Sequence, residues 1–154
     1  ETVINYPTVI NSKEYRITCC SVGNPHCVVF EDSVETLDVG KIGPYFENAD
    51  IFPERINTEF IRVADSSTIR MRVYERGNGE TGACGTGACA AVVSATLNGY
   101  CSKGRDITVK VNGGDLIVNY TDEGLRLREM RILYIRANLN IDDCVYFILH
   151  GYGF

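Results

Sequence analysis

Apolar and polar positions along this chain fall into short alternating runs separated by turn residues, with one long exception that has no polar face. Residues 14–20 (EYRITCC) and 26–30 (HCVVF) are rich in Tyr, Ile, Thr, Val and Phe and predict strands flanking the turn SVGNP. Residues 34–48 (VETLDVGKIGPYFEN) place Leu37, Ile42 and Phe46 roughly on one face, which predicts a helix weakened by Gly40, Gly43 and Pro44. Residues 56–64 and 68–74 predict a hairpin across DSS, and RMRVY alternates charged with apolar residues as a half-buried strand does. The exception is residues 86–98 (TGACAAVVSATLN), nearly all apolar or small, which predict a helix buried on every side and stopped at Asn98-Gly99. Residues 107–111 and 116–120 flank NGGD, a hairpin signal. From Met130 onward the chain is apolar and strand-like without clean alternation. The sum is an α+β lobe: a curved, mainly antiparallel sheet wrapped around a buried central helix.

Composition narrows the function. The 154 residues suit one domain or one lobe of a larger protein, and 45% apolar with 23% charged residues predict a packed core. A net charge of −5 argues against nucleic acid or an anionic membrane as partner. No apolar run approaches the ~20 residues of a membrane helix and no basic-then-apolar segment is read, so neither a membrane span nor a signal segment is expected among these residues. Seven cysteines without secretory context read as reduced thiols, so a cytoplasmic location is expected. There is no CxxC pair, and His26 and His150 lie far apart in sequence, so no metal site is expected. The chain opens on Glu1 and already reads as strand in TVINYPTVINSKEYRITCC, which predicts the second part of a longer polypeptide.

The chemistry concentrates in ERGNGETGACGTGACA, residues 75–90. GNGETG fits a dinucleotide fingerprint, but the helix would start about four residues late, and hairpin-then-helix is not the strand-helix-strand unit that fingerprint needs. Cys84, among Gly82, Gly85 and Gly87, stands where a helix N-terminus offers unpaired N–H groups to an anion. A thiol there is expected to lose its proton more easily. The alternative is a small core residue, the reading that fits Cys89 and Cys27. Glu75 and Arg76 end the preceding strand, either solvated or, for Arg76, gripping a carboxylate bidentately. His26 follows a Pro-fixed turn and is either structural or placed to orient or shuttle protons. Lys13, Lys41, Lys103 and Lys110 stand in polar contexts, so no pyridoxal Schiff base is expected, and thiol chemistry would run without any organic cofactor.

GNPHCVVF, FPERINTEF, RVYERGNGETGACGTGACAA and NGGDLIV, in this order from about residue 21 to about residue 124, resemble the carboxyl-terminal half of the diaminopimelate epimerase family. The resemblance implies a cofactor-independent epimerase of lysine and cell-wall precursor synthesis. It also implies two pseudo-symmetric lobes, each presenting one cysteine to opposite sides of a substrate α-carbon. By motif, Cys84 is implied as the acid/base cysteine of this lobe, and Gly85 and Thr86 as binders of the reacting-end carboxylate. Arg76, Asn24 and Asn57 are implied to hold the distal carboxylate and amine, and Glu75 and His26 to flank the catalytic centre. The partners implied are diaminopimelate as substrate and an amino-terminal lobe that this chain lacks, without which the chain is expected to be inactive. Residues 1–129 would be the lobe. Residues 130–154 diverge from the family's usual ending, and an uncovered VYFIL run would favour association as a homodimer. Two alternatives remain: a same-fold racemase or isomerase of another substrate, and a non-catalytic binding module.

Overall fold

In the computed structural model, residues 3–129 and 134–137 are described, and their strands form one mixed ten-stranded sheet. The first three strands, β1 (Tyr6–Ile10), β2 (Lys13–Ser21) and β3 (Pro25–Phe30), pair antiparallel in sequence order. Helix α1 (Val39–Glu47) then carries the chain to β4 (Asn57–Asp65), which lies parallel to β3. β4 and β5 (Thr68–Glu75) form the expected hairpin, with Asp65 accepting from the Ser67 N–H at 2.8 Å to close the turn. A short β6 (Gly79–Thr81) folds back on β5 and leads into α2 (Gly85–Leu97). β7 (Asp106–Val111) pairs parallel to β5, and β8 (Gly114–Thr121), β9 (Gly124–Glu129) and β10 (Tyr134–Ala137) extend the sheet antiparallel.

The sheet is thus mainly antiparallel, as expected, but parallel at two joints. A parallel joint needs a crossover of a dozen or more residues, and each helix supplies one. The crossovers lie on opposite faces. Glu59 and Phe60 are neighbours on β4 and therefore point to opposite sides. Phe60 meets Phe46 of α1 edge-on at 5.3 Å between ring centroids, whereas the Glu59 carboxylate lies against Gly87 of α2. α2 touches β2, β3, β4, β5, β7, β8 and β9, and Gly87 through Ala95 are buried without a break. A helix lacking a polar face can be stable only when enclosed like this.

One expectation needs correction. The first helix starts at Val39, not at residue 34, with Asp38 as its cap accepting from the Lys41 N–H at 3.1 Å. The cause is Arg72, whose guanidinium donates to the carbonyls of Val34 at 3.1 Å and Leu37 at 2.6 Å. It thereby draws residues 34–37 into a loop. The expected strand character of residues 130–154 is described only for β10; the VYFIL run lies outside the described residues. Among the described residues, no helix is long and apolar enough to cross a membrane.

α1 can approach β5 because Gly43 has no side chain: a Cβ there would sit 2.2 Å from Cγ of Tyr74. Gly43→Ala is expected to destabilise the fold by about 1–3 kcal/mol, outweighing the roughly 1 kcal/mol that alanine adds to helix propensity. Urea denaturation measures it, and a gain in stability would mean that α1 does not sit on the Tyr74 ring.

Candidate active site

Three strand ends and a helix start converge at one end of the sheet. β3 and β4 are parallel and both begin there, while β5, antiparallel to β4, ends there. Register places His26 beside Asn57 and Thr58 beside Tyr74, which brings Asn24, His26, Asn57, Glu75 and Arg76 to the same rim. Glu75 shares a sheet face with buried Val73 by the two-residue period, the face that α2 covers.

The glycine-rich segment is built from separate devices. Gly77 and Gly79, at φ 80° and 82°, turn the β5–β6 hairpin in a left-handed conformation that side chains resist. GNGETG is therefore a hairpin and not a nucleotide turn. The Gly77 N–H donates to Oε1 of buried Glu47 at 2.8 Å, so the end of α1 anchors the hairpin. Further on, the Gly82 carbonyl accepts from the Gly113 N–H at 2.7 Å, which makes the NGGD turn of β7–β8 a clamp on the chain entering α2.

Cys84 is the N-cap residue of α2, extended at φ −138° and ψ 113°, and only 9% exposed. The Gly87 N–H donates to its Sγ at 3.3 Å, and the Thr86 hydroxyl lies 3.5 Å from the same sulfur. The Ala88 N–H is taken by the Cys84 carbonyl at 2.9 Å. That bond is the first of the helix; before it, the Gly87 N–H is taken by the sulfur, and the N–H groups of Gly85 and Thr86 remain for an anion.

The expectation that Cys84 readily loses its proton is not met. Burial pushes its thiol up from the ordinary value, and the carboxylates of Glu59 and Glu75 push the same way. The Thr86 hydroxyl and the Gly87 N–H pull it down without reversing the balance. The helix start would favour a thiolate, but desolvation beside two acids favours the neutral thiol.

His26 is wholly buried, with Nδ1 2.7 Å from Oε1 of Glu59 and Nε2 3.0 Å from Oδ1 of Asn24. Asn57 is a stitch: its amide donates to the Pro25 carbonyl at 3.2 Å, and its Oδ1 accepts from the Arg76 N–H at 2.9 Å. The exposed Arg76 donates from Nη1 to the Glu54 carbonyl at 2.9 Å. Glu75 accepts from the Thr81 hydroxyl across the hairpin. All the residues singled out from the sequence thus gather at this rim, although Asn57 spends much of its hydrogen-bonding capacity within the protein. Cys89 and Cys27 are buried, as expected of core thiols, and Cys89 is pushed up to about 12, chiefly by burial.

Sequence reasoning missed Glu59, Glu47, Thr81 and Gly113. The signal for Glu59 was present: an acid between Thr58 and Phe60 at the start of an apolar strand, where a charge is tolerated only with a partner. Among the described residues, no three His, Cys, Asp or Glu side chains converge as metal ligands would.

Solved structures define the fold class. A hydroxyproline epimerase from Agrobacterium vitis superposes with a TM-score of 0.59 at 13% identity, over 88% of this chain and 44% of that one. A Bacillus anthracis phenazine biosynthesis protein of the PhzF family gives 0.51 at 18% identity, over 73% and 38%. At these identities the likeness concerns the fold. Closer sequence likeness decides the family: the pattern of the diaminopimelate epimerase family matches residues 18–132, and the chain belongs to that family. Diaminopimelate epimerases from Bacillus cytotoxicus and Bacillus cereus are 48% identical over 116 residues and 50% identical over 114 residues. These alignments cover 75% and 74% of this chain, and the chain spans about 40% of the length of the relatives.

The raised thiols make a pH prediction. Cys19, Cys84, Cys89 and Cys101 all bind their protons more tightly folded than an ordinary thiol does. Their contribution to stability is complete below the unfolded thiol value of about 8.5 and is lost as pH rises through the folded values. The urea midpoint is expected to decline above about pH 9, and Cys89→Ala should make that decline shallower. An identical decline in the variant would show that the buried Cys89 thiol does not resist ionisation.

Proposed function

We propose that this chain carries the carboxyl-side half of a diaminopimelate epimerase active site, with Cys84 as one of two acid/base groups. The observation that carries the proposal is Cys84 capping α2, its sulfur held by the Gly87 N–H and the Gly85 and Thr86 N–H groups open beside it. Family membership and the identity of 48–50% to named epimerases support the substrate.

In this reading, a thiolate from an amino-terminal lobe removes the α-proton. The Cα–H bond breaks, and its electron pair stays on the α-carbon, delocalised into the α-carboxylate. The N–H groups of Gly85 and Thr86 hold that carboxylate as its charge grows. Cys84 then gives its S–H proton to the opposite face of the carbon and is left as thiolate, so the two sulfurs have exchanged protonation states and the centre is inverted. Burial and two neighbouring carboxylates, by favouring the neutral thiol, suit Cys84 to donating first. The remaining donors of the exposed Arg76, with Asn24 alongside, would hold the distal end, selecting a substrate with a second carboxylate over a monocarboxylate. The two-lobe reading implies that this chain is inactive alone.

Deuterium wash-in at the α-carbon of diaminopimelate in heavy water tests the proposal. The chain alone should show no exchange. Mixed with the separately expressed amino-terminal lobe of the Bacillus cereus relative it should exchange, and Cys84→Ala should abolish that exchange while leaving the fold intact. Undiminished exchange in the variant would remove Cys84 from the chemistry.

A further inference from the structure

Glu59 is a wholly buried acid in the middle of the lobe, absent from the set of residues that would touch substrate. Its Oε1 meets His26 Nδ1 at 2.7 Å, and its Oε2 is buried with no hydrogen-bond partner among the described residues. A buried acid so placed needs a hydrogen-bonding partner, and His26 is in contact with it. The second ring nitrogen of His26, Nε2, faces another acceptor, Oδ1 of Asn24, at 3.0 Å. Asn24 Oδ1 can only accept, so Nε2 carries a proton, and the Glu59 contact takes one further proton, on Nδ1 or on the carboxyl.

The orientation of Asn24 follows. Its carbonyl oxygen is engaged by the ring, so its NH₂ group is turned away from His26. Asn24 is only half-buried, at the rim where Cys84, Glu75 and Arg76 gather. Gly87 makes room for the arrangement: a Cβ on it would lie 2.7 Å from Oε1 of Glu59 and 3.2 Å from Cβ of Cys84. The acid therefore packs into the first turn of α2 directly across from the reactive thiol.

We propose that Glu59 is a positioning residue that acts through His26, its contact at Nδ1 keeping the proton on Nε2 so that Asn24 presents amide donors, and not its carbonyl, to an anionic group of the substrate. With no proton on it, Nε2 would be an acceptor, and the Asn24 amide would turn over to donate to it. The cleft would then offer a carbonyl oxygen where it had offered N–H donors. This inference rests on the proposed epimerase reading for the identity of the anion. The Glu59–His26–Asn24 relay itself does not.

Two measurements keep those levels apart. Imidazole ¹⁵N spectra of this chain are expected to show Nε2 of His26 protonated, and Glu59→Gln should leave Nε2 bare, while Glu59→Asp restores the original pattern. A wild-type Nε2 without its proton, or a Glu59→Gln Nε2 that keeps it, overturns the relay whatever the enzyme's substrate. In the two-lobe mixture, Glu59→Gln should raise KM for diaminopimelate roughly tenfold with a much smaller change in kcat. Should Glu59→Gln fail to fold, Asn24→Asp provides the second arm: it still accepts from His26 but presents a carboxylate outward, and KM should rise at least as much. An unchanged KM in Asn24→Asp, with wild-type exchange intact, overturns the donor role. Absent exchange in the wild-type mixture refutes the epimerase reading and leaves the relay to be decided by the spectra.

Discussion

A helix whose every side is apolar cannot rest on a protein surface, and α2 is such a helix. Its eight consecutive residues Ala88 to Ala95 are all buried, so strands have to surround it. Enclosure leaves a helix only its two ends in contact with anything but the core. The carboxyl end is closed by Asn98, whose side chain donates back to the Ser94 carbonyl at 2.8 Å. The amino end is where the chain enters from the β5–β6 hairpin, and its unpaired N–H groups and capping sulfur come to the rim because the helix has no other opening. The position of Cys84 thus follows from the burial of residues far along the helix.

The same enclosure explains why an acid lies inside the lobe. β4 runs under α2, and a residue on its covered face must fit beneath the helix. Glu59 fits because Gly87 has no side chain, and it is tolerated because His26, on the parallel neighbour β3, meets its carboxylate. Two glycines that look alike in sequence, Gly77 and Gly87, therefore serve different purposes. The first supplies a left-handed backbone angle, and the second a gap for a carboxylate.

Electrostatics at the rim oppose each other. The helix start and the Gly87 N–H favour a thiolate on Cys84, while desolvation and the acids Glu59 and Glu75 favour the thiol, and the thiol wins. For a proposed two-base inversion this matters more than raw acidity, because one sulfur has to begin charged and the other neutral. In that proposed reading, Cys84 held as thiol takes the neutral role and the ionised role falls to the other sulfur.

Local pattern alone was enough for most elements. The strands on either side of SVGNP, the hairpins across DSS and NGGD, and the buried helix ending at Asn98-Gly99 are written in alternation, turn chemistry and capping residues that act over a few positions. The candidate residues were legible too, since Cys84 in its glycine turn and Glu75-Arg76 at a strand end are local features. Sequence did not reveal that β4 runs parallel to β3 and β7 parallel to β5, that Arg72 holds residues 34–37 out of the first helix, or that Gly113 clamps Gly82. Nor did it reveal Glu59 beside His26, 33 residues away. Each of these depends on groups brought together only when the sheet closes around α2. The state of the Cys84 thiol belongs with them, because a helix start can be read from sequence but desolvation and the nearness of two acids exist only in the folded chain.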